Sequence, residues 1–304
     1  MHDPVMLTNV LDSAGELAGK CVVDCTFGGG GYTKVFLDEG ASVVAIDKDP
    51  AAIERSKFFE SEYGDKFRIH HGSFVELDEA LGTEGADVIV ADLGISSFQI
   101  DQAERGFSFM KDGPLDMRMS GDGLSAADVI ADFEEERLAN IIYMYGEERL
   151  SRRIAKVIVK ARAESPIKTT ADLVRVIESA VGRPKGKKSK HPAMRTFMAL
   201  RLFVNQELED LEVLLEKSMH HLNENGKLIV VTFHSLEDRI VKQFMHRFKT
   251  KPAAVSEVWP EAHASLQDKV FVLPVRKSIK VSEEEVKNNR RARSAQMRVL
   301  ERVS

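Results

Sequence analysis

The sequence predicts an α/β protein, a doubly wound parallel sheet interrupted by an all-helical insertion. Three observations carry that expectation. Short apolar runs alternate with helical patterns through the first hundred or so residues. A run of four glycines, Gly28 to Gly31, directly follows the first apolar run. Strand patterns then cease between 104 and 190 and resume near 227.

In chain order, the run at 20–24, with Val22 and Val23, reads as a buried strand ending in Asp24. After the glycines, Val35, Phe36 and Leu37 restart a helical pattern over 32–39. A second strand at 42–47 ends in Asp47, and a helix over 50–61 leads to a strand at 67–71. A helix over 74–81 precedes a fourth strand at 86–93, which carries Asp92. Helical patterns follow at 125–145 and 147–164, and Thr169 is a cap that starts another helix. A long helix is expected over 193–222, then a strand at 227–233 opened by Asn225 and Gly226. Two extended runs, 269–275 and 294–300, close the chain. The sheet domain is therefore expected to be discontinuous, 1–103 and 192–304, with 104–191 as the insertion.

The glycine loop indicates a ligand, because residues without a Cβ let the backbone turn sharply and approach a bound molecule. Sixteen residues past Gly31, Asp47 stands where nucleotide-binding α/β folds grip ribose hydroxyls. The dinucleotide fingerprint fails, since its sixth position, counted from Gly28, is Thr33 rather than glycine. No Lys-Ser/Thr pair follows the glycines, which removes the P-loop reading. Two acidic strand ends, Asp24 and Asp47, flanking a glycine loop suit S-adenosylmethionine. That cofactor has an amino-acid end and a ribose but no phosphate. A plain glycine-rich turn is the bland alternative, weakened by the partner carboxylate being in place.

Bulk properties exclude several classes. No apolar stretch nears the roughly 20 residues of a membrane span. Met1 to Val5 lack the basic and apolar regions of a signal peptide, so a cytoplasmic protein is expected. Cys21 and Cys25 are the only cysteines and read as small core residues, with no metal site. The net charge of −5 is unevenly spread. From Glu104 to Glu148 there are 4 Lys/Arg against 11 Asp/Glu, whereas from Arg149 to His191 there are 13 against 3. That basic segment, with the loop Arg183 to His191, is the footprint of phosphate contacts or else a solvated charge run.

Specific strings then narrow the function. They are Asp92-Leu93-Gly94-Ile95-Ser96-Ser97-Phe98-Gln99, Arg105-Gly106-Phe107-Ser108-Phe109 and Pro114-Leu115-Asp116-Met117-Arg118-Met119. Tyr145-Gly146-Glu147-Glu148-Arg149, His191-Pro192-Ala193, Phe233-His234-Ser235-Leu236-Glu237-Asp238-Arg239 and Arg291-Ala292-Arg293-Ser294 follow in order. Together these resemble the bacterial 16S rRNA (cytosine-N4)-methyltransferase family over nearly the whole chain. The resemblance implies methyl transfer from S-adenosylmethionine to the exocyclic amine of a cytidine in the decoding region (P site) of 16S rRNA in the small ribosomal subunit. It also allows a homodimer, and with the basic segment it makes the 104–191 insertion the expected RNA-recognition domain. Carried over by motif, the cofactor contacts are Gly30, Gly31, Tyr32, Asp47, Phe74, Asp92 and Gln99. Tyr32 departs from the family's usual histidine. Many amino-methyltransferases place a Pro-Pro-aromatic motif after the fourth-strand carboxylate; Leu93-Gly94-Ile95 stand there instead, so another group must hold the base. Asp92, Asp116 and His234 are the candidates for target-base contacts, against the bland readings of a cofactor carboxylate, a helix cap and a structural histidine. Phe107 and Phe109 are either stacking residues or core anchors. The rivals are a methyltransferase acting on DNA or a small amine, and a non-catalytic RNA-binding assembly factor of the same fold.

Overall fold

The computed structural model describes residues 4–182, 191–248, 253–259 and 263–304. The basic loop of 183–190, singled out by its charge, lies outside them. In chain order the elements are α1 (Leu7–Ala14), β1 (Cys21–Asp24), α2 (Gly31–Asp38), β2 (Ser42–Asp47), α3 (Pro50–Tyr63), β3 (Phe67–His71), α4 (Leu77–Leu81) and β4 (Ala86–Asp92). Then come α5 (Ser97–Asp101), α6 (Ala126–Asp132), α7 (Glu135–Gly146), α8 (Ser151–Glu164), α9 (Thr170–Val181), α10 (Met194–Val204) and α11 (Glu207–His221). The chain closes with β5 (Leu222–Thr232), α12 (Ser235–His246), β6 (Ala253–Ala254), α13 (Val255–Val258), β7 (Val270–Val272), β8 (Ile279–Lys280), α14 (Glu283–Asn288) and β9 (Gln296–Arg302).

The chain divides into two compact units, 1–94 with 208–304, and 95–207. The first carries the sheet, in the order β3-β2-β1-β4-β5-β9-β7-β6, with β8 on β9. β3 to β5 pair in parallel, and the strands beyond β5 are antiparallel. Both faces are covered, which is why the strands read as unbroken apolar runs. Ile89, Ala91, Leu228 and Val230 face one core with Leu211, Leu214, Leu215 and Val241. Their neighbours Val88, Val90, Ile229 and Val231 face the other, with Val10, Phe36 and Phe59. The α/β sheet with a helical insertion is thus what the sequence predicts.

The second unit is helical; among its described residues the sole β pairing is an isolated bridge between Pro114 and Thr169. Its limits are wider than 104–191. Ile95 packs on its core, and Phe197 and Leu200 of α10 are buried there. The expected long helix over 193–222 is two helices. Asn205 ends α10 by donating to the Met117 carbonyl and accepting the Met119 amide, both at 2.7 Å, and Gln206 takes a left-handed φ of 52°. The 125–145 pattern likewise divides into α6 and α7, where buried Phe133 turns extended. Phe107 is buried, and Phe109 packs on the same core and stacks on His191 at 4.8 Å. Both are anchors of the helical unit. Among the described residues, no helix is long and apolar enough to cross a membrane.

Candidate active site at the carboxyl ends of the parallel strands

The glycine loop leaves β1 with Gly28 at φ 53° and Gly30 at φ 74°, both in the left-handed region. Gly30 is required twice over. It caps α2, and a Cβ there would lie 2.4 Å from the Phe59 ring and 3.0 Å from that of Phe27. Gly30→Ala combines a left-handed penalty of about 1–2 kcal/mol with overpacking of about 1–3 kcal/mol. A denaturant midpoint matching wild type would contradict this reading of the loop. Gly31 opens α2, and Tyr32 behind it is buried, its hydroxyl donating to the Val5 carbonyl. The Tyr32 side chain is thus committed to the core, and the loop offers a ligand its backbone.

Asp47 ends β2 and fixes this loop. Its Oδ2 accepts the Gly28 amide at 2.7 Å and its Oδ1 the Asp49 amide at 2.8 Å. Burial pushes its carboxyl upward, opposed by those two amide bonds. Each oxygen keeps a lone pair for a further donor. Phe74 begins the short turn after β3, capped by Ser73, and is partly buried against the sheet core. At the neighbouring strand ends, Thr26 joins β1 to β4: its amide donates to Asp24 Oδ1 at 3.1 Å and its hydroxyl accepts the Asp92 amide at 2.8 Å. Thr33 donates to Asp24 Oδ2 at 2.7 Å.

Asp24 is buried, and burial pushes its carboxyl up to about 6. A raised folded-state pKa means the fold binds this proton more tightly than the unfolded chain. The stability it contributes is present below about pH 4 and is lost as pH rises through about 6. Two units correspond to about 3 kcal/mol. Asp24→Asn, able to hydrogen-bond both Thr26 and Thr33, should raise the ligand-free protein's melting temperature at pH 8 and flatten its fall between pH 4 and 6. An unchanged pH profile would contradict a buried, titrating Asp24.

Asp92, at the end of β4, is the most unusual group. Its Oδ1 is buried and has no hydrogen-bond partner. Burial, followed by the charges of Asp24, Glu237 and Glu285, holds its carboxyl well above the usual range. Glu237, 2% exposed, accepts the Phe233 amide at 2.8 Å and the His234 amide at 3.2 Å through Oε2. Glu285 accepts the Met6 amide at 2.6 Å. A carboxyl crowded by other carboxyls, with its own oxygen unpaired, is a cradle for a cationic or N–H-donating ligand. No group of three or more His, Cys, Asp or Glu among the described residues has the geometry to hold a metal ion.

His234 caps α12. Its Nδ1 accepts the Glu237 amide at 3.4 Å, and its Nε2 lies 2.9 Å from Glu237 Oε1 at an angle that makes no hydrogen bond. The remaining two candidates belong to the helical unit. Gln99 is buried in a capping box with Ser96, accepting the Ser96 amide at 3.0 Å. Asp116 is gripped by Arg118 at 2.7 and 2.8 Å, and that guanidinium holds its carboxyl below the usual range. It is an Arg-paired carboxylate rather than a helix cap; Ser125 caps the helix that follows. Within the sheet unit, then, Gly30, Gly31, Asp47 and Asp92 gather at adjoining strand ends. Glu237 and Glu285 are the members that sequence reasoning missed. Glu237 had a signal, a His-x-x-Glu cap directly after an apolar strand; Glu285 had none.

The family model described as the MraW methylase family matches residues 1–303. The chain belongs to the MraW methylase family. Among curated relatives, ribosomal RNA small subunit methyltransferase H of Gluconobacter oxydans is 47% identical over 98% of this chain and 92% of its own length. Its counterpart from Chelativorans sp. is 47% identical over 100% of this chain and 88% of its own. An rRNA methylase structure from Streptococcus thermophilus matches with a TM-score of 0.39 at 12% identity, over 98% of this chain and 93% of that one. This MraW methylase is a methyltransferase, and its methyl donor is S-adenosylmethionine. The residues at the strand ends fit that donor: Asp47 offers acceptors to a ribose, and the unpaired Asp92 oxygen among its carboxylate neighbours offers a place for positive charge.

Proposed function

We propose that this enzyme methylates the N4 amine of a cytidine in the decoding region of 16S rRNA, within the small ribosomal subunit. The names of the relatives support the small subunit as acceptor. The motifs from Asp92 to Met119 and from Phe233 to Arg239 support the cytidine. One observation of the structure carries the amine chemistry, the buried, unpartnered Oδ1 of Asp92.

The chain's residues divide the work. Asp47 accepts the ribose hydroxyls, the backbone of Gly30 and Gly31 borders the cofactor, and Phe74 offers an apolar face to the adenine. Tyr32 contributes its backbone only. S-adenosylmethionine, when bound, supplies a methyl group activated by its sulfonium charge. A cytosine amine is a poor nucleophile because its lone pair is delocalised into the ring. Asp92 Oδ1, ionised once positive charge is close, accepts an N–H of that amine and localises the lone pair. It then takes the proton the amine gives up on gaining the methyl carbon. Glu237 keeps the neighbourhood negative and, with His234, fixes the start of α12. Holding the acceptor in line supplies much of the remainder.

The test is acceptor choice. Labelled S-adenosylmethionine is offered in parallel with small ribosomal subunits lacking this methylation, naked DNA and free cytidine. Label in the subunits alone is the expected result; transfer to DNA or free cytidine instead would overturn the assignment.

A further inference from the structure

Within the helical unit, α8 carries an unusual solvent face. Its buried side is Ile154, Ala155 and Ile158. Directly opposite, at helical spacing, stand Arg153, Lys156 and Lys160, with Arg149 just before the first turn. All four are exposed. Two other basic residues of the same helix are employed internally. Arg152 donates to Asn140 Oδ1 at 2.7 Å, and Arg162 donates to the carbonyls of Ile130 and Phe133, both at 2.7 Å. The four on the outer face have no carboxylate within ion-pair distance among the described residues, although Glu135 and Glu136 stand in the first turn of the preceding helix. Mutual repulsion along the ridge goes uncompensated, which costs stability unless a polyanion supplies the counter-charge.

A second observation lies alongside. Tyr143 and Met144 on α7 are 59% and 57% exposed, large apolar side chains left out of the core. They follow Asn140 by three and four residues and so share its helix face. Asn140 is the residue that Arg152 binds, so this face of α7 runs beside the first turn of α8. Cations in a row beside an exposed aromatic ring are the combination that holds RNA: charges meet phosphates while the ring stacks on an unpaired base.

We propose that Arg149, Arg153, Lys156 and Lys160, flanked by Tyr143 and Met144, form a docking surface for the phosphate backbone of the RNA substrate. This rests on the rRNA reading above and assigns it a surface. From Arg153 to Lys160 the ridge extends about 10 Å, enough for two or three consecutive phosphates.

The experiment uses the full chain with all four cations replaced by Gln, and small ribosomal subunits as probe. Each lost phosphate contact reduces the slope of log affinity against log salt by about 0.7 to 0.9. A slope shallower by about 1.4 to 2.7, with subunit KM raised at least about tenfold, is the result expected. The variant's S-adenosylmethionine affinity should match wild type, and its melting temperature should not fall, since the repulsion along the ridge is relieved. Tyr143→Ser should raise KM further, and Tyr143→Phe should restore it. An unchanged slope, with subunit methylation intact in the wild type, overturns the docking surface alone. So does a variant that loses self-association while keeping its RNA affinity, because the face would then seat a second copy of the chain. A wild-type enzyme that binds its cofactor but methylates no subunits overturns the functional reading instead.

Discussion

Replacing Asp47 by Ala is expected to weaken S-adenosylmethionine binding by about a hundredfold or more. The carboxylate would lose two hydroxyl hydrogen bonds, each worth about 1.5–3 kcal/mol when one partner is charged. It would also release the Gly28 amide at 2.7 Å and the Asp49 amide at 2.8 Å, so the loop loses the anchor that sets its shape. Asp47→Asn separates the two effects. The amide's oxygen can still hold one backbone N–H, but its nitrogen meets the other donor with a donor. Calorimetric titration should therefore rank wild type above Asn and Asn above Ala. Equal affinity in all three would remove Asp47 from the cofactor site.

Asp92→Asn is expected to slow methyl transfer by about 10²- to 10⁴-fold, the range for losing a positioned proton acceptor. The ligand-free fold should not suffer. An unpaired carboxyl crowded by Asp24, Glu237 and Glu285 is a liability there, and the neutral amide relieves it. The pH linkage has a definite sign. Burial and neighbouring carboxylates raise the Asp92 pKa, so the ligand-free fold favours the protonated form. Positive charge bound beside it favours the ionised form, so cofactor binding releases a proton. Calorimetry in buffers of different ionisation enthalpy should detect that proton in wild type and lose it in Asp92→Asn. A variant with normal turnover, or with the same proton release, would contradict the assignment.

These residues also mark how far the sequence could be read. The parallel strands were legible because a sheet covered on both faces must be apolar throughout, as Val22, Val23 and the run Val43 to Ile46 are. Asp47 was legible because its distance from the glycines is set by one crossover helix. What stayed hidden depends on contacts remote in sequence. The break at Asn205 comes from its side chain reaching Met117 and Met119, more than eighty residues away. The negative surroundings of Asp92 combine a carboxyl from β1 with two more from the far end of the chain, α12 and α14, and no local pattern announces that convergence. Tyr32 reads as a loop residue, yet its hydroxyl reaches back to Val5 and its ring packs beside Phe36. Similarly, the basic excess of 149–191 is one number in the sequence. Among the described residues it separates into cations that tie helices together, such as Arg152 and Arg162, and cations with no ion-pair partner, such as Arg153 and Lys156.

The most direct measurement is nucleoside analysis of the methylated product. Small subunits lacking the modification are incubated with labelled S-adenosylmethionine and the enzyme, and their 16S rRNA is digested to nucleosides. Label migrating as N4-methylcytidine is the expected result, absent when Asp92→Asn replaces wild type. Label in a ring-methylated cytidine or in any other nucleoside would contradict transfer to the exocyclic amine and, with it, the role given to Asp92.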